Sequence, residues 1–328
     1  MTAKRALITG ITGQDGAYLS RFLLGKGYEV HGTTRSLQTS HMWRLEELGI
    51  ADKVQIHEMD LREEKAIIGV LDAVQPAEIY NLAAWSFVAS SWEKPVMTAD
   101  INALGTLRLL ESVRRLCPEA RFYQASTSEM YGGSHEGHVQ DETTPLHPRS
   151  PYAISKLFAH WATINERESF GLFACCGILF NHESPLRGLE FVTRKISDGV
   201  AKIKLGLADS IALGNLDAKR DWGFAGDYVE VMWRMLQQKT PDEFVISTGV
   251  THSVRDFLTL AFREAGIEDW QPYVHTDPKY LRPVELEELS GRNDKAKTIL
   301  GWEPKVSFEE LVSMMVKRDL ERLSQKRA

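Results

Sequence analysis

Apolar runs and amphipathic stretches alternate along the first half of the chain. Runs at Ala6–Ile11, Glu29–Thr33, Val54–Glu58, Glu78–Ala83, Arg121–Ala125 and Phe173–Phe180 are short and bounded by turn residues, which predicts strands. Between them, apolar residues at helical spacing predict helices over Asp15–Leu24, Glu63–Val74, Ala99–Leu116 and Tyr152–Glu168. Strands alternating with helices of this length make βαβ units, so the expected fold is α/β, a doubly wound, Rossmann-like parallel sheet. After Asn181 the rhythm loosens into short strands, glycine-rich turns and separated helices, which predicts a smaller, mainly C-terminal α/β domain. A helix over Asp227–Gln237 and a strand over Glu243–Thr248 return the chain to the sheet, and the last periodic segment, Phe308–Leu323, predicts a terminal helix. The expected division is 1–180 with 226–248 in the sheet domain, and 181–225 with 249–328 in the second.

Composition narrows the partners. With 43% hydrophobic and 26% charged residues among 328, the chain is an ordinary globular one, which excludes disorder and fibrous architecture. The net charge of −6 carries no block of like charges, so neither nucleic acid nor an anionic membrane is expected as a partner. No apolar run approaches the length of a membrane span, and no signal peptide fits before the first strand. Three cysteines are too few for a disulfide framework, and neighbouring Cys175 and Cys176 point to opposite faces of a strand, so buried, reduced thiols in a cytoplasmic setting are expected.

The first strand ends in T-G-I-T-G-Q-D-G, which places Gly10, Gly13 and Gly16 between a strand and a helix. Missing Cβ atoms there allow a tight turn and close approach of a pyrophosphate to a helix N-terminus, the physics of a dinucleotide site. The second strand distinguishes the dinucleotide. Gly32 and Thr33 stand where NAD sites place an acid, and Arg35 and Ser36 follow, which favours NADP. Asp60, after the third strand, suits either the adenine edge or the cap of the next helix. Tyr152 and Lys156, four apart in S-P-Y-A-I-S-K, share one helix face, where an ammonium lowers a phenol's pKa and makes it an acid–base group. The stretch A-S-T-S-E-M-Y-G gathers Thr127, Ser128 and Glu129 at a strand end, where the carboxylate is either a solvated surface residue or a group that moves a proton. Adjacent His182 and Glu183 lack further ligands and do not make a metal site.

The strings I-T-G-I-T-G-Q-D-G-A-Y-L, F-Y-Q-A-S-T-S-E-M-Y-G, P-R-S-P-Y-A-I-S-K-L, G-I-L-F-N-H-E-S-P-L-R-G, F-V-T-R-K-I and A-K-R-D-W-G resemble GDP-mannose 4,6-dehydratases of the extended short-chain dehydrogenase/reductase family, over nearly the whole chain. The resemblance implies oxidation at C4 of a GDP-sugar, loss of the C5 proton to Glu129 and of the C6 hydroxyl as water, and hydride return to C6. Thr127 and Tyr152 would act at O4, Lys156 on the ribose, and Ser128 would assist the acid step. It implies NADP against Gly10, Thr12, Gly13, Gln14, Asp15, Gly16, Arg35, Ser36, Asp60, Leu61, Leu82, Ala83, Tyr152 and Lys156. The GDP-sugar would lie against Ser86, Asn181, Val192, Lys195, Gly214, Arg220, Arg282 and Glu285, with Lys195 on the guanine carbonyl, Arg220 and Arg282 on the diphosphate, and Arg187 and Arg194 solvated. Helices Ala99–Leu116 and Tyr152–Glu168 would pair copies into a homodimer or homotetramer. Two departures stand out. The chain reads A-A-W-S where the family reads A-A-Q-S, so Trp85 puts a large apolar ring close to the sugar, which leaves a related GDP-sugar such as a heptose as the alternative to GDP-mannose. It also reads T-R-S-L-Q-T-S-H after the second strand in place of an R-R-S-S-like run. A sugar-nucleotide epimerase or reductase, and a non-catalytic NADP-binding scaffold, are the other expectations.

Overall fold

The computed structural model describes residues 3–133, 139–280, 284, 286 and 288–325. Its strands are β1 (Arg5–Thr9), β2 (Glu29–Thr34), β3 (Gln55–Glu58), β4 (Glu78–Asn81), β5 (Arg121–Thr127), β6 (Ala174–Leu179), β7 (Asn181–Glu183), β8 (Ile211–Leu213), β9 (Lys219–Phe224), β10 (Glu243–Ile246), β11 (Thr251–Ser253), β12 (Val274–Thr276) and β13 (Glu288–Leu289). Seven of them form one sheet in the order β3-β2-β1-β4-β5-β6-β10, with every pairing parallel. Strands such as A-C-C-G-I-L in β6 are buried at every position because helices cover both faces of the sheet. Helices Gln14–Gly25 and Ala225–Leu236 pack on one face, and Glu64–Val74, Gly105–Leu116 and Pro151–Phe170 on the other. All three cysteines are buried and unpaired.

The strand order reverses between β1 and β4, where connections leave for opposite faces and a crevice opens at the carboxyl ends. One buried hydroxyl ties the two strand ends together. Thr9 Oγ1 accepts the backbone N–H of Leu82 and of Ala83, each at 3.0 Å, and donates to Asn81 Oδ1 at 2.7 Å. Over the crevice lies a second group of strands built on β9, which pairs with β7, β11 and β13, together with the two-stranded ribbon of β8 and β12.

Two elements depart from the periodicity reading. The helix expected over Ala99–Leu116 is α-helical from Gly105, whereas Asp100–Leu104 winds as a π-helical segment. That extra residue presents Asn102 inward, where it receives Trp85 N–H at 2.7 Å and donates to Ser155 Oγ at 3.0 Å. The strand expected to stop at Ala125 runs on to Thr127 and turns directly into a 3₁₀ helix, Ser128–Tyr131.

The C-terminal helix, Phe308–Gln325, docks on the helix Val192–Lys204 through an apolar seam that includes Ile196, Val200, Leu311 and Met315. Arg194 is not solvated, as the sequence suggested. It is buried at the end of that seam, donating to both oxygens of Asp319 and to the carbonyls of Pro185 and Arg187. Its helix turns this face inward, so the cation needs, and finds, a full set of acceptors. Flanking Asp319 on the terminal helix, Arg318 and Arg322 reach across to Glu47 in the short helix Trp43–Glu47. From the same short helix Arg44 donates to Thr12 O at 3.0 Å and to Leu186 O at 2.6 Å, so a chain of guanidinium groups clasps the terminal helix to the glycine-rich turn. Removing one partner of a buried pair leaves the other charge uncompensated. Asp319→Ala is therefore expected to destabilise the protein by about 3–5 kcal/mol, read as a lowered midpoint in urea unfolding.

Candidate active site

The turn after β1 fits a dinucleotide. Gly10 sits at φ +70°, and a Cβ there would lie 2.9 Å from Ala83 Cα; a Cβ on Gly16 would lie 2.6 Å from the Ile11 carbonyl oxygen. Both glycines are required by close approach of backbone. Gly13 is the N-cap of helix Gln14–Gly25 and brings no capping side chain, so the first-turn N–H groups face the crevice uncovered, where partial positive charge favours an anion.

Long-range contacts brace this helix end. Gln14 donates to His182 O at 3.1 Å and accepts from Ser184 Oγ at 2.7 Å. His182 is no metal ligand; its Nε2 meets Asp15 Oδ2 at 2.8 Å, its Nδ1 meets Phe180 O at 2.8 Å, and its ring stacks on Tyr228. Both ring nitrogens thus face acceptors, the arrangement of an imidazolium. Burial alone would raise Asp15, but the His182 charge and hydrogen bond outweigh it and hold the carboxyl down at about 2. Burial opposes the charge on His182, and Asp15 more than restores it, leaving the imidazole above its ordinary value.

The extension of β5 explains the hydroxyl-rich stretch. Its last residue, Thr127, caps the 3₁₀ turn by accepting Glu129 N–H at 3.3 Å, and that turn places Ser128 and Glu129, both buried, at the crevice. Opposite, Ser150 caps the helix Pro151–Phe170 by accepting Ala153 N–H at 3.1 Å, with proline preorganised at its first position. Tyr152 and Lys156 lie one turn apart at its start, 9% and 4% exposed. Lys156 accounts for a second part of the dinucleotide fit, since it places a cation in the cavity wall one turn from Tyr152. Burial draws it down to about 8, against which the charge of Asp15 acts.

The phenol differs from expectation. Burial pushes Tyr152 up to about 12; its hydrogen bond with Thr127 pulls down and the Glu129 charge pushes up again. In the protein alone, desolvation is the largest influence on the phenol, ahead of the Thr127 hydrogen bond and the Glu129 charge.

These groups share one cavity of ≈ 880 Å³. It unites Gly10, Gly13, Gln14, Asp15, Gly16, Leu82, Ser86, Thr127, Ser128, Glu129, Tyr152, Lys156, Asn181, Val192, Lys195, Gly214 and Arg220. Thr12, Arg35, Ser36, Asp60, Leu61 and Ala83 do not line it. Thr12 gives its carbonyl to Arg44, Ala83 backs Gly10, and Leu61 is buried against Gly105. Arg35 is exposed beyond β2. Asp60 neither caps the next helix by its side chain nor faces the cavity; it holds Arg62 through both oxygens. Arg282 and Glu285 lie outside the described residues. Trp85 also stays out of the lining, because Asn102 fixes its backbone and its indole turns to donate to Ser90 Oγ at 2.7 Å. Arg187 is partly buried in the wall beside Glu183 and over Phe191 rather than solvated. The reading missed His182, Arg187, Phe87, Phe191 and Tyr280 as lining residues; for the first two, the quoted string N-H-E-S-P-L-R was the available signal.

Residues 7–315 match the family model for GDP-mannose 4,6 dehydratase. The chain belongs to the GDP-mannose 4,6-dehydratase family. It is 52% identical to GDP-mannose 4,6 dehydratase 2 of Arabidopsis thaliana, over 97% of this chain and 87% of that one. It is 49% identical to the Homo sapiens GDP-mannose 4,6 dehydratase, over 96% of this chain and 91% of the relative. Among solved structures, the Thermus thermophilus UDP-glucose 4-epimerase in complex with NAD superposes with TM-score 0.84 at 28% identity, covering 96% of this chain and 98% of that one. The dTDP-glucose 4,6-dehydratase of Streptomyces venezuelae reaches 0.86 at 23%, covering 98% of each chain, and shows the shared fold.

The brace between Asp15 and His182 makes this family member's stability depend on pH in a defined direction. His182 is held above its ordinary 6.5, so its contribution is complete below about pH 6.5 and is lost as pH rises through the folded value. Asp15, at about 2 against 3.8, contributes fully above 3.8 and loses its share as pH falls toward 2. The gap in Tm between wild type and His182→Gln is expected to narrow from about pH 6 to about pH 9, checked by thermal melts of both across that range.

Proposed function

We propose that the protein converts GDP-mannose into its 4-keto-6-deoxy derivative, with NADP as a cofactor regenerated in each turnover. The observation that carries this reading is Glu129, a carboxylate only 8% exposed in the same cavity as Thr127, Tyr152 and Lys156. Reduction or epimerisation on such a scaffold needs no proton acceptor in that place, whereas elimination of water across C5 and C6 does. The names of the curated relatives support the same substrate. Trp85 stands outside the cavity lining, so the one departure that pointed to a heptose does not reach the pocket among the described residues.

When bound, the dinucleotide supplies a reversible hydride acceptor, so that C4 is oxidised for part of the cycle and C6 is reduced at its end. Thr127 and Tyr152 hold the sugar O4, and Tyr152 takes its proton; the nearby Lys156 ammonium favours the resulting phenolate and orients a ribose. A ketone at C4 acidifies C5–H. Glu129 takes that proton while the C6 hydroxyl accepts one and departs as water, with buried Ser128 the hydroxyl that assists. NADP over NAD is supported by β2. A Cβ at Gly32 would lie 2.2 Å from the Ile11 side chain and Thr33 is buried, so no carboxylate stands there, while Arg35 is exposed just beyond.

In this reading residues 1–180 with 226–248 hold the dinucleotide, and 181–225 with 249–328 hold the GDP-sugar through Asn181, Val192, Lys195, Gly214 and Arg220. Exposed Ile154, Phe158 and Trp161 on one face of helix Pro151–Phe170 support pairing with a second copy, as homodimer or homotetramer. Buried, unpaired thiols suit a reducing cytoplasm.

Incubation with GDP-mannose and NADP⁺ in D₂O, followed by proton NMR, is expected to give a C6 methyl signal with deuterium at C5. Glu129→Gln should lower the rate by about 10²–10⁴-fold while still binding NADP. Unchanged turnover by that variant would refute the role of Glu129, and an intact C6 hydroxymethyl in the wild-type product would point to epimerisation or reduction.

A further inference from the structure

We infer that Phe87 and Phe191 bridge the cavity at its reacting end and retain the sugar between the two hydride transfers, with Trp85 positioning the bridge. The inference deepens the dehydratase reading and rests on it. Phe87 immediately precedes the helix Val88–Glu93, on the wall that follows β4, and Phe191 immediately precedes the helix Val192–Lys204. Their rings meet edge to face with centroids 5.8 Å apart, and both line the cavity. This is a favoured aromatic geometry, and it joins two segments that are distant in sequence. Exposed Trp92 and Leu189 line the cavity from the same two segments and add to its apolar surface.

Contacts from both segments place the pair beside the reacting groups. Ser91, one turn beyond Phe87, accepts Tyr152 N–H at 3.3 Å. The Arg187 guanidinium lies 3.5 Å from the Phe191 ring centroid, close enough to Tyr152 for its charge to act on the phenol. Trp85 sets Phe87 from outside the cavity. Its indole N–H donates to Ser90 Oγ at 2.7 Å, and that hydroxyl donates to Phe87 O at 2.9 Å. Asn102 in turn fixes the Trp85 backbone through both its N–H and its carbonyl. The tryptophan of the A-A-W-S stretch thus acts on the pocket through Ser90 without lining it.

The reaction gives such a bridge a task. Oxidation at C4 takes a hydride and the O4 proton from the sugar, and loss of water then leaves a 4-keto-5,6-ene. A sugar that departs at that stage leaves its hydride behind, one reduced dinucleotide for each molecule lost. A sugar retained until hydride reaches C6 and a proton returns to C5 leaves none. Two apolar rings closing over it also keep water from the unsaturated intermediate.

Release of GDP-mannose and of GDP from the NADPH-loaded protein, which cannot accept a hydride, tests this apart from turnover. By stopped-flow displacement the wild type should release GDP-mannose more slowly than GDP. Phe87→Ala and Phe191→Ala should each speed GDP-mannose release by about tenfold and leave GDP release unchanged, which also reports that the variants are folded. The double variant should be no faster than either single one, because each change breaks the same pair. Trp85→Phe, which removes the indole donor and keeps a ring, should speed GDP-mannose release by about threefold. During turnover with NADP⁺ the alanine variants should accumulate reduced dinucleotide and an equal amount of oxidised sugar, whereas the wild type accumulates neither. Equal acceleration of both ligands, additive effects in the double variant, wild-type release by Trp85→Phe, or turnover without stranded reduced dinucleotide would each overturn the inference. Slow release that depends on the sugar and on both rings, without conversion of GDP-mannose, would leave the bridge standing and remove the dehydratase reading. Conversion of GDP-mannose with release indifferent to both rings would do the reverse.

Discussion

The hydroxyl of Thr9 makes three hydrogen bonds where the strand order reverses, and the site depends on them. Two parallel strands whose connections leave on opposite faces diverge at their carboxyl ends, and backbone N–H groups exposed there would be buried without partners. Thr9 satisfies those of Leu82 and Ala83 and holds Asn81, which in turn donates to Thr106 and Gln124. With the ends so joined, the turn after β1 passes directly over Ala83, and only glycine fits at position 10. The bare helix N-terminus, the end of β5 and the start of helix Pro151–Phe170 then open onto one cavity.

Burial acts with opposite sign on the two members of the Tyr–Lys pair in that cavity. It raises the phenol and lowers the ammonium, bringing both toward their neutral forms. Asp15, by contrast, is held as an anion at the bare helix N-terminus, where His182 pairs with it.

Much of this was legible in the sequence because it is local. Strand and helix periodicity, the glycine triplet, the tyrosine and lysine four apart, and the carboxylate of the A-S-T-S-E-M-Y-G stretch each occupy one short segment, and folding preserved their spacing. What escaped the sequence depends on contacts between distant segments. Asp15 meets His182 across 167 positions, and Arg194 meets Asp319 across 125, so nothing near either arginine or histidine distinguishes it from a solvated one. Trp85 was misplaced for a related reason. Its backbone is set by Asn102, and Asn102 points inward only because the preceding helix gains a π-helical turn, which a 3.6-residue pattern does not reveal. Asp60 was ambiguous between two roles; it does not cap the next helix, and its carboxylate holds Arg62 two residues on.

The guanidinium clasp has a consequence for the order in which the molecule is completed. Glu47 and its partner Arg318 are 271 positions apart, so during synthesis the helix Trp43–Glu47 emerges long before the cations that anchor it. The parallel sheet can assemble from its own residues, yet the short helix whose Arg44 holds Thr12 gains its outer support only when the last helix docks. The glycine-rich turn thereby takes part of its support from a helix 271 positions further along the chain, counted from Glu47 to Arg318.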